Sequence, residues 1–161
     1  MIEVMTIGYE GLRPEDFLNI LRRCGVERIV DVRELAISRR KGYAKFALSA
    51  MLTEAQIAYT HMPGLGCPRD IRHAYREDGD WDEYTERFGA YLKTKDSEML
   101  DLLARVREEK CCLLCYETDF NFCHRTFVAE RLGKFVDRML IKHLTGPIQG
   151  RAVAIPTLAV A

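Results

Sequence analysis

The sequence has no surplus of either charge: 24 Lys and Arg stand against 24 Asp and Glu, for a formal net charge of zero. A balanced chain lacks the general, salt-driven attraction that draws proteins to nucleic acid or anionic lipid, which leaves a local basic patch as the route to such partners. Long hydrophobic runs are missing as well. The longest fall far short of the ~20 apolar residues that a bilayer-spanning helix needs, so no membrane association is expected. The opening Met1-Ile2-Glu3-Val4-Met5 lacks the basic start and small-residue cleavage site of an export signal, and the expected location is cytoplasmic. No pair of C-x-x-C units occurs among the six cysteines, and no internal repeat is visible. In an unexported chain such cysteines read as reduced thiols, core fillers, catalytic groups or metal ligands, not as a disulfide framework.

What is present suits one packed core. A length of 161 residues with 48% hydrophobic and 30% charged residues excludes a disordered chain and leaves little room for a second core. Ile2 to Ile7 reads as a strand, and Phe17, Leu18, Leu21 and Cys24 recur at helical spacing after Pro14. Arg28 to Val32 is a β-branched strand, so the first third predicts a βαβ unit with parallel strands and a right-handed crossover. Cys111 to Tyr116 is the most continuous apolar run and reads as a central strand. Helices are expected around Tyr84 to Leu92, after Ser97, and from Cys123 with Val128, Leu132, Phe135, Val136 and Met139 on its apolar side. A last strand is expected near Leu140 to Leu144. The expected fold is a single α/β domain over 1–146, with a mainly parallel sheet flanked by helices and an irregular, loop-rich insertion between Arg33 and Asp80. Residues 147–161 read as a loosely held tail, because they are small and apolar without periodicity.

In an open parallel sheet the ligand crevice forms where loops leave the C-terminal strand ends. Three marked segments fall there. Cys115, Glu117, Cys123, His124 and Arg125 lie within eleven residues around a strand-to-helix turn. A thiol at a helix N-terminus beside His and Arg is pushed toward thiolate, which makes Cys123 a candidate nucleophile. Cys115, at a strand end, is its rival. Glu117 or His124 would move protons, and Arg125 would hold an anionic group. The plainer alternative is a buried Cys115 with a structural cluster around it. Asp31 and Arg33 end the second strand, either as an internal salt bridge or as a fork for phosphate or carboxylate. Tyr9 follows the first strand. Ser38 and Arg39 begin a basic segment that suits phosphate or single-stranded nucleic acid, although a solvated basic loop explains it better and the zero net charge weakens the nucleic-acid reading. Tyr59, His61 and Cys67 flank a Gly- and Pro-rich loop. His61, Cys67, Cys115 and Cys123 would be a zinc-type set if all converged, but their spacing assigns no metal, and the cofactor and oligomeric state stay open.

Thr6-Ile-Gly-Tyr-Glu-Gly11, Asp31-Val-Arg33, Ser38-Arg39, Tyr59 with His61, Leu65-Gly66, and Cys115-x-Glu117 through Cys123-His-Arg125 together resemble the pattern of domain of unknown function 488, from about Thr6 to Leu132. Cys67 departs from that pattern, which has a second glycine there. A fainter resemblance is to rhodanese-like domains, through Asp31-Val-Arg33 and the strand-Cys-loop-helix at Cys115 to Arg125. It implies Cys115 as a persulfide or thiophosphate-type nucleophile. Nine residues separate Cys115 from Arg125, a longer loop than the tight anion cradle of that class. The function these residues imply is a small enzyme with an anion-binding cleft and a reactive cysteine; the alternative is a nucleotide or nucleic-acid binding module using the same arginines.

Overall fold

In the computed structural model, the chain forms β1 (Ile2–Gly8), α1 (Pro14–Arg23), β2 (Arg28–Asp31), α2 (Lys45–Glu54), β3 (Ala58–His61), α3 (Arg69–Asp78), α4 (Trp81–Leu92), α5 (Asp96–Glu108), β4 (Cys111–Cys115), α6 (His124–Gly133), β5 (Arg138–Ile148) and β6 (Arg151–Val160). The described residues are 1–148 and 151–160 for the backbone and 1–146 for side chains. The side chains of the tail expected over 147–161 therefore lie outside the described residues, while the backbone of β6 pairs antiparallel with β5. The strands run in the order β3-β2-β4-β1-β5-β6. β1 is parallel to β4 and β5, and β2 is parallel to β3 and β4. This is the expected α/β class with a mainly parallel sheet.

Local chemistry explains the first helix. Pro14 presets its first turn, Glu15 and Asp16 face the positive helix end, Arg22 and Arg23 face the negative end, and Gly25 takes the left-handed φ of 67° that stops it. Its Phe17, Ile20 and Leu21 pack with Leu48 and Leu52 of α2 on one side of the sheet. Phe88 and Leu92 of α4, Leu102 and Val106 of α5, and Val128 and Leu132 of α6 cover the other. Strand alternation sends Cys111 and Leu113 to the second cluster and Cys112 and Leu114 to the first.

Three details differ from the sequence pattern. α2 and α3 stand where loops are expected, and α6 ends at Gly133 although the apolar period continues. Phe135 and Val136 still pack on the core from the turn beyond α6, and Met139 does so from β5, so one apolar rhythm spans three local structures.

Register sets the functional end of the sheet. Gly8 pairs with Cys115, Asp31 lies beside Leu114, and Asp31 also lies beside His61. The ends of four parallel strands thus reach one edge together, where loops after β1, β2, β3 and β4 meet.

Candidate functional site

Four side chains from the β4–α6 connection converge: one donor atom from each of Cys115, Glu117, Cys123 and His124 lies within 4.8 Å of all the others. Cys115 Sγ is 3.1 Å from Glu117 Oε2 and 3.3 Å from His124 Nδ1, and Cys123 Sγ is 3.2 Å from the same Glu117 oxygen. Cys115 ends the central strand, Cys123 caps α6 and His124 opens it. His124 Nε2 is 2.8 Å from the Val32 carbonyl. A carbonyl only accepts, so Nε2 carries the hydrogen, and in the neutral ring Nδ1 turns its lone pair toward Cys115.

The electrostatics divide the two thiols. Burial, then the hydrogen bonds and charge of Cys123 and Glu117, hold Cys115 well above the ordinary thiol range. Burial also opposes ionisation of Cys123, but hydrogen bonds with Cys115 and His124 and the positive charge of His124 and Arg125 outweigh it and bring Cys123 well below that range. The pair therefore parts with its first proton easily and its second with difficulty. Burial and the neighbouring Cys123 raise the Glu117 carboxyl. For His124, burial works against protonation and contact with Cys123 more than compensates, so its pKa is raised.

Buried side chains behind the cluster hold it in place. Arg125 is fully buried and donates to the carbonyls of Glu117 and Thr118 and to Thr6 Oγ1, the last two at 3.2 Å. Thr6 Oγ1 lies 2.8 Å from Nδ1 of His143, whose ring stacks on Phe120 at 4.0 Å. Arg125 is thus a positioning group with its donors already engaged. His143 braces the cluster through Thr6 and Arg125.

A cleft of about 420 Å³ opens beside the cluster, and Cys115, Glu117 and His124 line it, as do Arg33, Arg72 and Arg76. Tyr9, Tyr75, Trp81 and Tyr84 add aromatic surface. Of the two clustered cysteines, Cys115 lines the cleft and Cys123 does not. Of the lining cations, Arg33 is committed to Asp31 at 2.7 Å, and Arg72 reaches Glu34 at 3.4 Å and the Cys67 carbonyl at 3.0 Å. Arg76 is exposed and makes no ion pair among the described residues.

The remaining candidates sort as follows. Asp31 is fully buried and accepts from Arg33 and from the Tyr59 hydroxyl at 2.6 Å, and His61 Nε2 meets the Arg33 carbonyl at 2.7 Å. These residues shape the loop after β2. Tyr9 lines the cleft and stacks on Tyr43 at 4.3 Å. Ser38 accepts from the Arg40 amide, and Arg39 is exposed; neither lines the cleft. Of the zinc-type set weighed in the sequence, Cys115 and Cys123 converge, but with Glu117 and His124 in place of His61 and Cys67. Cys67 lines the cleft with its thiol pushed up by burial to about 11. Arg72 and Arg76 are the lining arginines the sequence pattern misses, because they sit on α3, a helix with one buried apolar residue, Ile71.

A family model with the description "Domain of unknown function DUF488" matches residues 13–132. Among curated proteins and among solved structures, no match is found.

Proposed function

We infer the function from the site itself, because the chain belongs to the family described as domain of unknown function DUF488, and that description names no reaction. The geometry best supports a small enzyme that holds an anionic substrate in the cleft and attacks it with the Cys115 sulfur. One observation carries this reading: Cys115 and His124 both line the cleft, 3.3 Å apart, with the imidazole locked from behind by the Val32 carbonyl. A thiol, a base in reach of it and a group orienting the base form the arrangement of an activated nucleophile. In the step it supports, a bond forms between Cys115 Sγ and the electrophilic atom of the substrate while the thiol proton passes to His124 Nδ1. The bond to the leaving group breaks, its electron pair departs with that group, and the proton returns to it from His124. Water or another acceptor then displaces the sulfur. Arg76, with Arg72 beside it, supplies charge for the substrate anion, and the aromatic surface takes the apolar part.

Metal-free protein is incubated with p-nitrophenyl acetate, p-nitrophenyl phosphate or thiosulfate, which present acyl, phosphoryl and sulfur electrophiles, and adducts are mapped by peptide mass. A covalent adduct at Cys115 is expected from at least one. It should vanish in Cys115→Ser and form about 100-fold more slowly in His124→Gln. Protein that alkylates normally at the half-buried Cys24 yet takes no adduct from any of the three overturns thiol catalysis and leaves the binding-module alternative.

A further inference from the structure

We propose that Cys115, Glu117, Cys123 and His124 form a binding site for one zinc-class divalent cation, and that the bound ion masks the Cys115 sulfur. The proposal goes beyond the catalytic reading and stands without it. Three groups that bind as anions, two thiols and one carboxylate, point at a common spot, and an imidazole nitrogen joins them. Three of the six edges of the cluster measure 3.1, 3.2 and 3.3 Å, and all lie within 4.8 Å. With Zn–S near 2.3 Å and Zn–N or Zn–O near 2.0 Å, tetrahedral geometry calls for sulfur-to-nitrogen and sulfur-to-oxygen edges of roughly 3.5 Å. Along these three edges the donors need to spread by only a few tenths of an ångström to admit the ion.

Two further features fit a metal. A ligating histidine almost always donates its second ring N–H to a carbonyl or carboxylate, and His124 does so to Val32. Arg125 is fully buried and has no carboxylate partner among the described residues. Two thiolates, a carboxylate, a neutral imidazole and a dication sum to one negative charge, which the Arg125 guanidinium beside Glu117 balances. Thiolate and imidazole ligands select a borderline-soft ion, zinc before magnesium or calcium. Coordination displaces the thiol protons to solvent and engages one lone pair of the Cys115 thiolate, so the metal-bound sulfur is a much weaker nucleophile than the free thiolate.

The purified full chain is stripped with dipicolinate and titrated with Zn²⁺ against a chromophoric chelator, and separately with Co²⁺ while its spectrum is recorded. One equivalent should bind, Co²⁺ should give the intense charge-transfer and visible bands of tetrahedral thiolate coordination, and Zn²⁺ should block iodoacetamide at Cys115 until chelator is added. Cys115→Ser and Cys123→Ser should each weaken binding at least 10-fold, whereas Cys24→Ser should leave it unchanged. Binding of equal strength in the Cys115→Ser/Cys123→Ser double variant, or a Co²⁺ spectrum without thiolate bands, overturns the site. The wild-type spectrum decides even if a variant fails to fold. An adduct at Cys115 of metal-free protein without zinc binding would sink this proposal and spare the catalytic one; the reverse result would do the opposite.

Discussion

Gly8 shows how narrow the tolerance around the cluster is. A Cβ built there would lie 1.7 Å from the Glu117 carbonyl oxygen, so the end of β1 touches the β4–α6 loop through backbone alone. Gly8→Ala must push that loop away, and we expect a loss of about 1–3 kcal/mol in urea unfolding together with slower adduct formation at Cys115. Unchanged reactivity would show that the loop position is immaterial. At His143, burial and then the charge of Arg125 lower the pKa from 6.5 to about 4. Between those values the unfolded chain binds more protons than the folded one, so the stability linked to this residue is whole above pH 6.5 and is lost as pH falls toward 4. Through His143 alone, acidification from neutral pH should cost about 2–3 kcal/mol. In His143→Gln that share of the acid destabilisation should be absent from a pH series of denaturation midpoints; an identical slope would refute the assignment.

At the scale of elements, α4 supports the first turn of α6, because the Phe88 ring meets the His124 imidazole edge-on at 5.8 Å and 82°. Phe88→Ala should cost about 3–5 kcal/mol, and in the population that still folds the Cys115 adduct should form more slowly, since His124 loses the wall that fixes its ring. Stability loss with reactivity intact would assign Phe88 to packing alone. The same scale explains which elements are legible in sequence. β1, β2, β4, α1, α4 and α5 carry dense apolar periods and emerge directly from them. α2 buries Leu48 and Leu52 yet leaves Phe46 86% exposed, and α3 buries Ile71 alone, so their stripes are too thin to separate from a loop. α6 shows the converse error: the spacing continues past Gly133 because the following turn and strand face the same core.

For the whole molecule, the charge balance carries its own prediction. With a formal net charge of zero and a pI near 6.9, mixed-sequence oligonucleotides should show no binding at physiological salt in a mobility-shift assay. Tight binding with a steep salt dependence, lost in Arg39→Ala/Arg40→Ala, would favour the nucleic-acid module over the enzyme. Local spacing by itself determined most of the α/β elements and the dense turn from Cys115 to Arg125, because these depend on neighbours a few residues apart, and the separated motifs from Thr6 to Arg125 carried the family resemblance. Tertiary structure alone decided what each group in that turn does. His124 meets Val32 across 92 residues and Arg125 meets Thr6 across 119, contacts no local pattern encodes. Those contacts bury the Arg125 guanidinium as a support, set Cys115 at the cleft, and leave Arg76, on a helix the sequence hides, as the exposed cation there. A side chain's chemistry is set by the partners that burial forces on it, and those partners come from segments that only the sheet brings together.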